Sequence, residues 1–298
     1  MISIILKTSG ILVLTFFLTR IAYSQTELRS DINQLINAVD ARVGVGVVHL
    51  EKGDTLSVNG VGHFPMQSVY KFHQALAVLH EVDEGKLSLE AKVMIDKNDY
   101  IPNTWSPIAT KYPNGNIYLT IKELISYSVA SSDNNACDIL FQQLGGPAKV
   151  NAYVAGLGIN EIAIKNTERE MHENWNAQFA NWTTPRSMAK LLALFYKGEI
   201  VSPKSTAALR DIMEGTITGK NRIKGLLPQG TPVAHKTGMG GKDDVISAVN
   251  DVGVITLPNG QHVCIALFIT DTSEDVDTLE KLMAQISKKV FDFYSGKH

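Results

Sequence analysis

An α+β fold is predicted: an α/β sandwich whose antiparallel sheet comes from the N- and C-terminal strands, flanked by helices and interrupted by an inserted all-helical region. Three observations carry it. Valine-rich, strand-like runs lie near the start (Val43 to Leu50) and again near the end (Pro232 to Thr270). The stretch between them reads mostly at helical period. At 298 residues, 44% hydrophobic and 19% charged, the chain can bury one large core or two intimate ones.

Taken in order, Val43 to Leu50 and Thr55 to Val61 form a hairpin across the turn Lys52-Gly53-Asp54. A helix beginning at Ser68 carries Val69, Phe72, Leu76 and Leu79 as one apolar stripe and stops near Gly85. Asp96 to Tyr112, with Pro102 and Pro107, reads as loop. Thr120 caps a helix through Val129, with Glu123 completing a capping box. Further helices run from Asp133 to the Gly145-Gly146-Pro147 stop, and from Pro147 to Val154. Residues 166–182 show no clean period and read as a long polar loop, a kind of segment that is usually functional. Helices follow at Pro185 to Lys197 and Pro203 to Met213. The end reverts to strands at Pro232 to Lys236, Val245 to Leu257 with a bend at Asn250-Asp251, and Val263 to Thr270. An amphipathic helix, Ser273 to Tyr294, closes the chain.

A net charge of −2 gives no electrostatic footprint for nucleic acid or anionic lipid. The N-terminus reads as an export leader. Lys7 precedes an apolar run from Gly10 to Thr19, and Ala22-Tyr23-Ser24 offers small residues for cleavage before Gln25. The expectation is a mature protein outside the cytoplasm, most simply periplasmic, with no membrane association after cleavage. Cys137 and Cys264 are expected as two separately buried thiols. The eight histidines form no metal-binding pattern, and His73 and His80 are read as packed in the core. No metal or other cofactor is expected.

Three short motifs carry the chemistry. Ser68-Val69-Tyr70-Lys71 sets a hydroxyl and an amine three residues apart, on one face of a helix start. There, free N–H groups and the helix dipole favour negative charge, and a nearby amine can take the serine proton. S-x-x-K by itself is weak, because a chain this long contains roughly one by chance. Ser187-Met188-Ala189-Lys190 is a second copy, read as plain helix behind its Thr183-Thr184-Pro185 start. Ser132-Asp133-Asn134 lies between two helices, where Ser or Asp can also serve as an ordinary cap. Lys236-Thr237-Gly238 continues Val233-Ala234-His235 as strand, and its glycine leaves room for another molecule to approach the backbone.

S-x-x-K, S-D-N and K-T-G in this order form the motif set of class A β-lactamases and penicillin-binding proteins. The chain resembles a class A serine β-lactamase across essentially all of residues 25–298. The resemblance implies the serine β-lactamase/DD-peptidase-like fold, a small-molecule β-lactam substrate and a monomer. It implies a sheet domain from residues 25–64 and 218–298 around a helical domain, 65–217, with residues 1–24 as leader. Ser68 would be the acylated nucleophile, and Lys71 would take or relay its proton. Ser132 would protonate the departing nitrogen, with Lys236 biasing it and attracting the substrate carboxylate. The backbone N–H groups of Ser68 and Met239 would form the oxyanion hole. Asn134, Thr237 and Gly238 would line the substrate.

The deacylating carboxylate is implied less directly. The family shows E-x-x-L-N in its long loop, whereas this chain has Glu168-Arg169-Glu170-Met171-His172. Counting back from Asn181-Trp182 places Glu168 as the base and His172 at the asparagine, with Glu170 the rival carboxylate. Asn181 replaces the family's usual aspartate, so a loop held differently is expected, as in an extended-spectrum, cephalosporinase-leaning subgroup. The usual arginine after K-T-G is missing, leaving Arg222 or a plain surface arginine as readings. Trp105 is read as an aromatic gate or as a packing residue. The same acylation set would also serve a D-alanyl-D-alanine peptidase or a non-turnover penicillin sensor, and only hydrolysis requires Glu168.

Overall fold

The computed structural model describes residues 25–243 and 245–296, so the expected leader lies outside the described residues. A helix over residues 25–36 (α1), which the sequence reading left without an element, sets Leu28, Ile32 and Ile36 into the core at four-residue spacing. The hairpin is present as β1 (Arg42–His49) and β2 (Thr55–Val58), followed by the short β3 (Phe64–Pro65). A 3₁₀ turn, Gln67–Val69, leads into α2 (Tyr70–Asp83).

Helix α2 is not the amphipathic surface helix its stripe suggests. Every residue from Tyr70 to Leu79 is buried, because the helical region wraps it on all sides. Cys137 and Cys264 are buried free thiols, as expected. The stretch read as loop up to Tyr112 is more ordered than its prolines imply. It contains a capped 3₁₀ turn, Lys97–Asp99, and the short α3 (Pro107–Lys111), whose Pro107 sits at an N-terminal position that tolerates it. Strands β4 (Lys92–Asp96) and β5 (Gly115–Thr120) bracket it as an antiparallel pair with no counterpart in the reading. Helix α4 (Ile121–Ala130) begins at the expected Thr120/Glu123 capping box. Helix α5 (Asn134–Leu144) ends on left-handed Gly145, and α6 (Pro147–Gly156) follows.

Beyond β6 (Ile162–Ala163), the long loop is also built rather than irregular. It holds α7 (Glu168–Glu173) and a 3₁₀ turn, Trp175–Ala180, and ends at β7 (Trp182–Thr183). Helices α8 (Pro185–Tyr196) and α9 (Pro203–Glu214) precede β8 (Val233–Lys242), β9 (Val245–Thr256), β10 (His262–Thr270) and α10 (Val276–Tyr294).

The main sheet is antiparallel with order β2-β1-β10-β9-β8, so the chain's two ends do build it together. Alternation along β10 shows its two faces. Val263, Ile265, Leu267 and Ile269 join α1 and α10 in one cluster, while Cys264, Ala266 and Phe268 join the helical side in another. β1 alternates Val with Gly for the same reason. A Cβ on Gly46 would lie 2.2 Å from the Pro185 carbonyl oxygen, so glycine is what lets α8 lie on the sheet.

No bend interrupts β9. Asn250 and Asp251 stay in register with Gly238 and Thr237, because each polar side chain has a buried partner. Asn250 Nδ2 donates to the carbonyls of Pro65 (2.8 Å) and Met66 (3.1 Å), and Asp251 pairs with His235 Nδ1 at 2.9 Å. β8 also continues past Lys236 to Lys242, carrying Thr237, Gly238 and Met239 along one sheet edge.

Candidate active site

Ser68 sits in the 3₁₀ turn that enters α2, and Lys71 lies in that helix's first turn, fully buried. The next segment, between α4 and α5, bends sharply at Ser132, which adopts φ +57°. A non-glycine residue in that region carries strain of about 1–2 kcal/mol. The conformation aims two groups of one residue at two buried lysines. Lys71 Nζ donates to the Ser132 carbonyl at 2.9 Å, and Lys236 Nζ donates to the Ser132 Oγ at 2.9 Å. Lys71 Nζ also donates to Asn134 Oδ1 at 2.6 Å and lies 3.1 Å from Glu168 Oε1 as an ion pair. Lys71, Ser132, Asn134, Glu168 and Lys236 therefore converge, and Ser68 stands at the head of the helix that delivers Lys71.

The plain cap reading fits the middle residue of S-D-N. Asp133 accepts from the Ala136 N–H to cap α5, and it also holds Ser106 Oγ and the Ile108 N–H. That pins the segment 104–108 beside the site. Thr104 Oγ1 accepts from Asn134 Nδ2, and the Trp105 indole N–H donates to the Ser131 carbonyl, leaving its ring exposed. Trp105 is thus neither core nor free, but a rim residue hung on the S-D-N segment.

β8 closes the opposite wall. A Cβ on Gly238 would lie 2.5 Å from the Met66 carbonyl oxygen and 3.3 Å from the Ser68 nitrogen. The glycine does permit close approach, but the approaching group is the chain's own nucleophile turn rather than another molecule. Thr237 Oγ1 shares a 2.6 Å hydrogen bond with Thr218 Oγ1, and Met239 is exposed at the rim. Burial drives the Lys236 ammonium well below its ordinary pKa; Lys71 adds to this, and Glu168 and Asp251 oppose it.

Arg222 is not the plain surface arginine that one reading allowed. It is buried, with Nε on Glu280 Oε1 (2.9 Å) and Nη1 donating to the carbonyls of Gly238 (3.1 Å) and Asn250 (2.9 Å). Glu280 and strand backbone hold Nε and Nη1, so the guanidinium braces β8 from behind, while Nη2 lies 3.7 Å from Met239 Sδ. His172 is exposed in the last turn of α7, four residues on from the buried Glu168.

Glu168 and Glu170 are separated by a signal present in the sequence and not used. Thr167-x-x-Glu170 is a capping box: the Glu170 carboxylate accepts from the Thr167 N–H (2.7 Å) and hydroxyl, and is exposed. Glu168, at the first helical position, is left free to point inward. Asp138, absent from the sequence reading, fixes it there. Its Oδ1 accepts from the Glu168 N–H (2.8 Å) and its Oδ2 from the Arg169 N–H (2.9 Å). Burial raises the Asp138 carboxyl to about 6 despite those two donors. An aspartate in the otherwise apolar run Ala136 to Phe141 was the available hint.

The loop is held differently from an aspartate–arginine pair. Asn181 Oδ1 accepts from the Lys165 and Asn166 N–H groups, while its Nδ2 donates to the Asn166 carbonyl. Arg169 instead donates to the Asp99 carbonyl. The second S-x-x-K lies elsewhere, with Ser187 Oγ 3.4 Å from Glu161 Oε2 and Lys190 on the Gly158 carbonyl. His73 and His80 are packed, His80 stacked on Tyr153 and His73 fully buried.

The Beta-lactamase enzyme family matches residues 27–294. Beta-lactamase VEB-1 of Pseudomonas aeruginosa is 43% identical, over 98% of this chain and 99% of its own. Extended-spectrum beta-lactamase PER-1 of Pseudomonas aeruginosa is 38% identical, over 98% and 95%. A class A beta-lactamase structure from Bacteroides cellulosilyticus superposes with a TM-score of 0.88 at 35% identity, over 92% of this chain and 99% of that one.

Proposed function

The chain belongs to the class A β-lactamases, and from that premise we propose how its own residues open and then release a β-lactam. The carrying observation is the single buried cluster in which Ser132 touches both lysines while Glu168 lies against Lys71. Ser68 attacks the lactam carbonyl, and its proton passes to the Lys71–Glu168 pair, either end of which can hold it. The Ser68 and Met239 N–H groups face the developing oxyanion, on the two segments that Gly238 allows to meet. One such donor is typically worth about 3–4 kcal/mol of barrier. Ser132 Oγ, hydrogen-bonded to Lys236, gives its proton to the departing nitrogen, and Lys236 attracts the substrate carboxylate.

Release needs water activated on the acyl ester, and Glu168 supplies the base. Its position against Lys71, fixed by Asp138, is what favours hydrolysis over a peptidase or a once-acylated sensor. The kinship with the extended-spectrum PER-1, and a loop held through Asn181, support cephalosporins beside penicillins as substrates. The leader-like first 24 residues support a periplasmic location, and among the described residues no helix is long and apolar enough to cross a membrane.

Glu168→Ala tests the division of labour by intact-mass spectrometry after mixing with a cephalosporin. The expected result is an adduct on Ser68 that accumulates and persists. Full turnover by the variant removes Glu168 from the mechanism.

A further inference from the structure

Within the half of the loop beyond α7, one buried side chain that the mechanism leaves unused reaches both the nucleophile turn and the sheet. Gln178, in the 3₁₀ turn Trp175–Ala180, is 4% exposed. Its Oε1 accepts from Gln67 Nε2 and from Ser247 Oγ (2.7 Å), and its Nε2 donates to the Trp175 carbonyl at 2.8 Å. Gln67 immediately precedes the nucleophile and holds φ +47°, while Ser247 is buried on β9 behind the edge strand. The amide of Gln67 reaches Gln178 by passing under Gly240, where a Cβ would lie 2.4 Å from Gln67 Nε2 and 2.8 Å from Ser247 Oγ. One buried amide thus joins the serine's turn, the sheet edge and the deacylating loop.

We propose that Gln178 is a positioning residue for deacylation: it locks the loop carrying Glu168 onto the turn carrying Ser68. Asp138 fixes only the start of α7; the Asn181 side chain ties the loop's two stems to each other, and its carbonyl accepts from the Met66 N–H at the loop's far end. Gln178 is what ties the span between them to the nucleophile side. Without it, Gln67 Nε2 and Ser247 Oγ lose their common acceptor, and buried groups left unpaired draw in water and loosen the contact. In acylation Lys71, which stands off this loop, can take the Ser68 proton by itself, whereas release has no base but Glu168, so the loss should fall mainly on release of the acyl group.

The proposal rests on the hydrolytic reading above, and a two-residue cycle tests both. Gln178→Leu removes the acceptor, and Gln67→Asn retracts the donor while keeping a residue that tolerates positive φ. Acylation and deacylation rate constants are measured by stopped flow and intact mass with a chromogenic cephalosporin, below each variant's melting temperature. Each single variant should lose about tenfold in deacylation, the size of one buried hydrogen bond, with acylation changed less than about threefold. The double variant should be no slower than the worse single. The proposal is overturned if acylation falls as much as deacylation, if deacylation is unchanged, or if the two losses multiply. Wild-type protein that neither hydrolyses the cephalosporin nor forms a Ser68 adduct overturns the hydrolytic reading and this proposal together. Wild-type turnover matched by Gln178→Leu overturns this proposal alone.

Discussion

Gly238→Ala asks whether the approach of β8 to the nucleophile turn is what makes Ser68 reactive. The added Cβ would stand 2.5 Å from the Met66 carbonyl oxygen, and contacts under 3.0 Å are essentially never adopted. Ordinary contact begins at 3.4 Å, so the two segments must part by roughly 0.5–0.9 Å. Neither can yield easily. Asn250 clamps the Pro65 and Met66 carbonyls from β9, and Arg222 grips the Gly238 carbonyl from behind. An oxyanion donor at about 2.9 Å moved by that amount stands at about 3.4–3.8 Å, where the hydrogen bond is badly weakened or lost. Losing one such donor costs about 10²–10³ in rate. The assay is single-turnover acylation by a chromogenic cephalosporin, with the adduct weighed by mass spectrometry. The acylation rate constant should fall by about two orders of magnitude, and clearance of any adduct, which develops the same oxyanion, should slow with it. Acylation within about threefold of wild type would refute the claim that this approach sets the oxyanion geometry.

Two further perturbations read the buried titratable groups. Burial lowers the His73 imidazole from 6.5 to about 4, so the folded state disfavours its proton. Stability contributed by the neutral ring is present above 6.5 and lost as pH falls toward 4, by about 3 kcal/mol. His73→Phe should flatten that loss in urea melts taken between pH 7 and 4, and an unchanged acid slope contradicts it. Asp138 has the opposite sign, raised from 3.8 to about 6, so its contribution is full below 3.8 and lost as pH rises through 6. Wild type should therefore lose about 3 kcal/mol relative to Asp138→Asn between pH 4 and 7. The same variant leaves one of two loop N–H groups unpaired, so acyl-enzyme should accumulate during turnover at neutral pH; if clearance stays at the wild-type rate, Asp138 does not position Glu168.

Local pattern was enough for the elements whose signals are short-range. The Thr120/Glu123 capping box, the Gly145 stop, the V-G-V-G-V strand and the long apolar stripe of α10 each specify their structure within a few residues. The three motifs, taken together and in order, also located Ser68, Lys71, Ser132, Asn134 and Lys236, because a recurring set of residue types is legible without coordinates. Misread stretches were those whose periodicity is overridden by surroundings. Helix α2 is buried all round, β9 keeps Asn250 and Asp251 in register through side-chain partners, and the proline-bearing segment before Tyr112 is pinned by Asp133.

By itself, then, the sequence determined which groups could do chemistry here and in what order they lie along the chain. Tertiary structure alone decided what anchors the Glu168 loop, and that Arg222 is held by Glu280 and strand backbone. Those outcomes depend on contacts between residues 16 to more than 100 positions apart, such as Asp138 with Glu168 and Gln67 with Gln178. A hydrogen bond across such a span is set by how packed layers bring backbones together, and no local propensity encodes that distance.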